Sequence, residues 1–356
     1  MQVSFFDYAM KDKGGVKTQK FLNEMSEIIP FDTIEKILID KGIYKPNKTS
    51  RGDFCFCKKV SVKGIIGRPS VPSKILVGTM FLQSWYGLSD PMAEELIHDR
   101  ISFRKFLDIK DEDNIPDETT ICKFRKKLVD HNLFETIFIE VKNMMNEKNL
   151  ILNTGTLVDA TLIHSSEPKR KRDKDGKVIS NKAYDKEATY TSKRGRKHHG
   201  HKMHIATDRN GIIKEIIATT AKNHDSPQFE KLTKDETKAV FADSGYMSKK
   251  RKIELRARNI FAGIVERRVR NQSKLRQKQS KQENRFFVIT KNVSIKNNTK
   301  FSKIRCLVEL PFAFIKQHMN FRVSRYRGIE KNQQHYYLIA ASYNLRRTPA
   351  LVRNQS

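Results

Sequence analysis

The chain has 356 residues, 38% of them hydrophobic, and its 70 Lys and Arg against 40 Asp and Glu leave a net charge of +30. At roughly 100–200 residues per domain the length predicts two or three domains. No run reaches the ~18 unbroken apolar residues of a membrane span, no signal peptide is evident at the N-terminus, and four cysteines make no disulfide framework, with Cys55 and Cys57 too close for an ordinary zinc knuckle.

These features predict a cytoplasmic, nucleoid-associated protein without a membrane segment. A surplus of +30 repels itself unless a polyanion neutralises it, and phosphate backbones are the usual partner. Charge alone does not separate an enzyme from a packing protein, so the order of elements has to.

From Val71 to about Leu150 the pattern is helical. Ile75, Leu76, Thr79, Met80 and Leu82 to Trp85 follow a three-four spacing, and Gly87 to Pro91 then breaks it. Pro91 suits the first turn of a second helix, with Asp90 as its cap. Ile115 to Thr120 reads as a helix start ahead of Ile121, Phe124 and Leu128, and a further helix covers Leu133 to Asn146. Residues 1–150 are therefore expected to be an all-helical domain with Arg125 and Lys126 among its outward cations.

After Asn153 the character changes. Thr156 to Ile163 is a short β-rich run, followed by Lys169 to Lys202, which carries 13 Lys and Arg against 4 Asp and Glu and no evident core residue. Strands from Lys202 to Thr207 and Ile212 to Thr219 flank an Asn-Gly turn. A helix opening at Asp225, with that residue as its cap, runs through Leu232. Then come a strand from Ala239 to Asp243, a helix from Lys249 to Arg258 and a strand from Ile260 to Val265. Residues 266–300 interrupt with 11 Lys and Arg against 2 Asp and Glu, and closing helices span Ile304 to Met319 and Gln334 to Leu345. The order predicts a mixed α/β domain over 151–350 with a basic insertion at about 266–300.

Asp159 stands inside an apolar strand and Asp243 ends another. A carboxylate in such a place costs several kcal/mol unless paired or metal-bound, and two on neighbouring strands repel until one takes up a proton or a cation intervenes. An all-oxygen site favours Mg²⁺ or Mn²⁺ over zinc. Glu309 is the expected third ligand: on one helix, positions 302, 305, 309 and 316 lie within an arc of about 60°, so Arg305 and Lys316 flank it. Pro311 either kinks that helix or marks its true start. His198, His199, His201 and His204 read as part of a phosphate-facing basic loop.

Five stretches carry a resemblance: PDETTICKFRKKL from Pro116, LVDATLI around Asp159, HGHKMHIATDRNGII to KNHDS from His199, VFADSGYMSKKRKIELR around Asp243, and IRCLVELPFAFIK to YNLRR around Glu309. In this order they resemble the DDE transposases of bacterial insertion sequences, specifically the large group five, over about residues 65 to 347. The resemblance implies a ribonuclease H-like catalytic core, a metal-binding triad of Asp159, Asp243 and Glu309, and the family's Arg-x3-Glu-x6-Lys signature at Arg305, Glu309 and Lys316. The Tyr that often precedes this Arg falls on Ser302, and the span from about Phe286 to Lys300 is an addition. Two Mg²⁺ or Mn²⁺ ions would activate water and stabilise the leaving 3′ oxygen at a DNA phosphodiester, after which the 3′-OH is joined to target DNA. Arg305, Lys316, Lys202, Arg125 and Lys126 are the expected DNA contacts, with the helical domain on the terminal inverted repeats. A homodimer or larger synaptic assembly is implied as well. A ribonuclease H-like nuclease without strand transfer, and an inactivated DNA-binding relative, remain the alternatives.

Overall fold

The computed structural model describes residues 17–45, 71–109, 115–166, 170–172, 175, 178–180, 185–193, 195–265 and 297–355. Cys55, Cys57 and nearly all of the basic insertion lie outside them. The chain divides into two compact units, one of residues 1–144 with 345–356 and one of residues 145–344.

In the first unit, α1 (Lys17–Ile28), α2 (Phe31–Asp40), α3 (Ser73–Tyr86), α4 (Asp90–Asp99), α5 (Ile101–Leu107), α6 (Glu118–Asp130) and α7 (Leu133–Glu147) follow one another, the last running three residues past the unit's edge. α3 is buried on almost every side, because its residues are apolar or small all round. Trp85 packs against Phe21, Phe81 and Phe106 at ring distances of 5.1 to 5.8 Å. The expected helix starts hold with one correction. Ser89, not Asp90, caps α4, accepting from the Met92 amide, while Asp117 caps α6 through the Thr120 amide at 2.6 Å. Asp90 instead faces sideways, taking both guanidinium nitrogens of Arg125 and the Gln83 amide.

The second unit is built on a mixed sheet. Its strands are β1 (Thr156–His164), β4 (Thr189–Lys193), β5 (Arg196–Thr207), β6 (Ile213–Thr220), β7 (Ala239–Ala242) and β8 (Phe261–Ile264), in the order β4-β5-β1-β7-β8 with β6 also on β5. β1 is antiparallel to β5 and parallel to β7, and β7 is parallel to β8. A separate two-stranded ribbon joins β2 (Arg170–Arg172) to β3 (Val178–Ser180). The basic stretch expected to lack a core is thus partly strand. β5 begins at Arg196, six residues before the expected start, and His199, His201 and His204 are buried in it.

Side chains alternate across a strand. Val158, Ala206, Val240 and Ala242 share one face, where they pack with Phe229 and Leu232 of α8 (Phe229–Leu232), Leu255 of α9 (Lys249–Ala257) and Tyr246. Asp159 and Thr161 therefore project to the other face, which is met by α10 (Glu309–Gln317). α11 (Ile329–Arg353) closes the edge that β6 presents. Gln333 bonds the Ile216 carbonyl and the Ala218 amide, and Asn344 bonds both backbone groups of Ile213. Those amides satisfy backbone groups that an open edge would offer to another strand.

Residues 297–305 are helical, a tight turn covers Cys306–Val308, and α10 starts at Glu309. Pro311 accordingly sits in the first turn of α10, where its missing N–H has no helical acceptor to lose. The proline stands at the start of α10, directly after the 3-10 turn.

Candidate active site

Backbone register brings the two aspartates together. Thr156, Leu157 and Val158 of β1 pair with Val240, Phe241 and Ala242 of β7. One residue further along, Asp159 falls opposite Asp243 on the same face. Asp243 caps the turn Ser244–Tyr246, accepting from the Ser244 amide at 2.7 Å, and is exposed. Asp159 is less open, its side chain 23% exposed, with Oδ1 accepting from the Ala160 amide at 2.8 Å. Burial pushes its carboxyl up to about 6, and the neighbouring Asp243 and Glu309 add to the rise, while the Ala160 amide and Arg305 oppose it.

Arg305 links the acids. Its Nη1 donates to Asp159 Oδ2 and its Nη2 to Glu309 Oε1, both at 2.9 Å. Arg305 and Glu309 still meet across the intervening turn, whose backbone is right-handed helical at both residues. Among the described residues no three His, Cys, Asp or Glu side chains stand close enough to hold one ion. The guanidinium occupies the space between the carboxylates.

Lys316 is half-buried at the far end of α10. It donates to Thr161 Oγ1 at 2.6 Å and to the Leu162 carbonyl at 2.8 Å, both on β1. Burial, then the nearby Lys193 and Arg322, push its amine down to about 8. A cleft of about 270 Å³ opens beside it, lined by Leu162, His164, Phe312, Ala313, Gln317 and Arg322 besides Lys316 itself. Lys316 and Arg322 give that cleft a positive wall, with no carboxylate in its lining.

Three other expected DNA contacts are placed differently from one another. Lys202 pairs with Asp225 at 2.9 Å and bonds the Asn223 carbonyl, so it is held on β5. A helical turn does follow Asp225, at Ser226–Gln228 and then α8 to Leu232, but Asp225 makes no side-chain cap bond to it, contrary to the expected cap. In the first unit Arg125 is tied to Asp90, each side chain 18% exposed, whereas Lys126 is exposed on α6. The histidines correct the basic-loop expectation. His201 Nε2 meets Asp185 Oδ2 at 2.7 Å, His204 Nε2 meets Thr219 Oγ1 at 2.8 Å, and His199 Nε2 meets the Ala188 carbonyl at 3.2 Å. They serve the interior of the sheet, and alternation within a run of Lys and His gave little sign of it.

The family model described as Transposase DDE domain matches residues 152–345, a span containing all three acids, Arg305 and Lys316. The chain belongs to the DDE transposases. A second model, Transposase domain (DUF772), matches residues 13–127. No solved structure matches the chain. The transposase is thereby of the insertion-sequence type and a metal-dependent enzyme acting on nucleic acid. Its fold is a mixed α/β sheet flanked by helices after an N-terminal helical region. No helix of the described residues is long and apolar enough to cross a membrane.

The donor set suits the divalent metals typical of this family. Three carboxylates contribute oxygen alone, which hard cations prefer, and the acids already gather around a positive group.

Proposed function

We propose that this transposase cleaves the ends of an insertion sequence and joins the freed 3′-OH to target DNA, with Asp159, Asp243 and Glu309 as its metal-binding acids. The register of β1 on β7, which sets Asp159 opposite Asp243, is the observation that carries this reading. The arrangement accords with a ribonuclease H-like core and with the group-five insertion sequences. Two bound Mg²⁺ or Mn²⁺ ions would activate the attacking oxygen and stabilise the leaving one.

The chain's own groups do the rest. Asp159, fixed by the Ala160 amide, presents Oδ2 toward the reacting phosphate. Lys316, anchored to β1, holds an adjacent phosphate at a set distance from Asp159, and Arg305 takes another through its planar fork. Lys126 and the helical unit contact the terminal inverted repeats, and Lys202 steadies β5 through Asp225. Arg125 would reach DNA only by leaving Asp90. Synapsis of two ends calls for a homodimer or larger assembly.

The test uses duplexes carrying the inverted repeats that flank the gene, incubated with the full chain and Mg²⁺ or Mn²⁺. Wild type is expected to nick at the repeat ends and to join a pre-cleaved end to a plasmid. Asp159→Asn, Asp243→Asn and Glu309→Gln are each expected to lose both steps while keeping repeat binding. Undiminished nicking by these variants refutes the site. Nicking without joining marks a plain nuclease, and tight binding without nicking marks an inactive DNA-binding relative.

A further inference from the structure

Arg305 is surrounded by negative charge. Beyond its bonds to Asp159 and Glu309, Asp243 is close enough to add to the field at its guanidinium. The side chain is only 16% exposed. A guanidinium cannot shed its charge in a protein, so this cation is permanent, unlike a lysine or histidine in the same position.

Removing that cation would leave Asp159, its side chain 23% exposed, beside the more open Glu309, 58% exposed, and within the field of the exposed Asp243. Like charges so placed repel, most of all at Asp159, the least open of the three. The guanidinium relieves the repulsion, which is also what a divalent ion does there. Both draw on the same oxygens. Asp159 Oδ1 is occupied by the Ala160 amide, and Oδ2 is occupied by Arg305. An ion held by Oδ2 and by Glu309 Oε1 would lie against a fixed positive charge.

We propose that Arg305 is the resident counter-ion of this acidic site and competes with divalent metal for Asp159 and Glu309. This rests on reading those acids as metal ligands. Metal loading then requires the guanidinium to turn away from the carboxylates, and a backbone phosphate arriving with DNA is a ligand able to receive its two-pronged fork. The long side chain allows that turn without moving the helical residues 297–305, at whose end Arg305 stands.

The experiment titrates the full chain with Mn²⁺ in the absence of DNA, reading free Mn²⁺ by electron paramagnetic resonance. Wild type, Arg305→Gln, Arg305→Lys and Asp159→Asn are compared. Arg305→Gln is expected to bind Mn²⁺ about tenfold more tightly than wild type, within the ~5–150-fold range of coupled sites. Arg305→Lys, with a charge but no fork, is expected to fall between them. In EDTA, Arg305→Gln should melt below wild type and gain more from added Mn²⁺. Unchanged or weaker Mn²⁺ binding by both Arg305 variants, with Asp159→Asn still weakening it, overturns the competition and leaves the metal site standing. Binding insensitive to Asp159→Asn overturns the metal site itself, and the competition with it.

Discussion

Lys316→Met separates a structural role from a DNA-binding one. The amine donates two hydrogen bonds to β1, to Thr161 Oγ1 and the Leu162 carbonyl, worth about 1 kcal/mol each net of water. Against them stands the cost of keeping it charged. A fall from 10.5 to about 8 amounts to about 3 kcal/mol at roughly 1.4 kcal/mol per pH unit, which solvent screening at a half-buried amine reduces to about 2. The two contributions nearly cancel, and methionine fills the same stem volume. The variant should therefore melt within about 4 °C of wild type at pH 7.5. The sign with pH follows from proton binding. Between pH 8 and 10.5 the unfolded chain holds the Lys316 proton more tightly than the folded one, so this group's contribution to stability rises with pH. Wild type should gain on Lys316→Met from pH 8 to 10 in matched thermal melts. DNA affinity should fall with a salt slope shallower by about 0.9, the mark of one lost phosphate contact. A melting drop beyond about 8 °C would make Lys316 a packing strut, and unaltered affinity with an unaltered salt slope would remove it from the DNA interface.

Other expectations follow from particular contacts. Gly200→Ala would set a Cβ 2.1 Å from the Ile163 carbonyl oxygen and 3.0 Å from His164 Cα, so β5 must separate from β1; chemical denaturation should report a loss of about 3 kcal/mol or more, and a smaller loss would mean that the strands yield easily. His204 has its protonation pushed down by burial, only partly opposed by Asp225. The unfolded chain then takes up that proton first, and stability falls as pH drops below about 6.5. Melting curves of His204→Gln should be flatter than wild type over that range, and parallel curves would contradict the burial argument. In the helical unit, Arg125→Ala abandons Asp90 in a half-buried place and should cost about 1–3 kcal/mol, while Lys126→Ala should leave melting unchanged and weaken repeat binding. The reverse pattern would exchange the roles assigned to the two residues.

Much of the fold was legible in one dimension. Three-four spacing located α3, the start signal from Ile115 to Thr120 located α6, and the Asn-Gly turn placed the β5–β6 hairpin. β5 extends beyond its expected start, which Lys and His in its first half conceal by resembling solvated residues. Their burial depends on distant partners, Asp185 for His201 and Thr219 for His204, and no local pattern announces a partner 15 or 16 residues away. The same blindness hid the ties of Lys202 to Asp225 and of Arg125 to Asp90, which hold two of the expected DNA contacts against acidic partners in the protein itself.

By itself the amino-acid order determined which carboxylates are out of place. Asp159 interrupts an apolar strand, Asp243 ends another, and Glu309 follows Arg305 by one helical turn. That much is local, since strand and helix periods depend on neighbours in the chain. Only the tertiary structure decided that parallel register sets Asp159 opposite Asp243, and that the Arg305 guanidinium stands between Asp159 and Glu309. Those outcomes belong to pairings between segments some 80 and 150 residues apart, settled by packing the apolar faces of the sheet and not by any spacing along the chain.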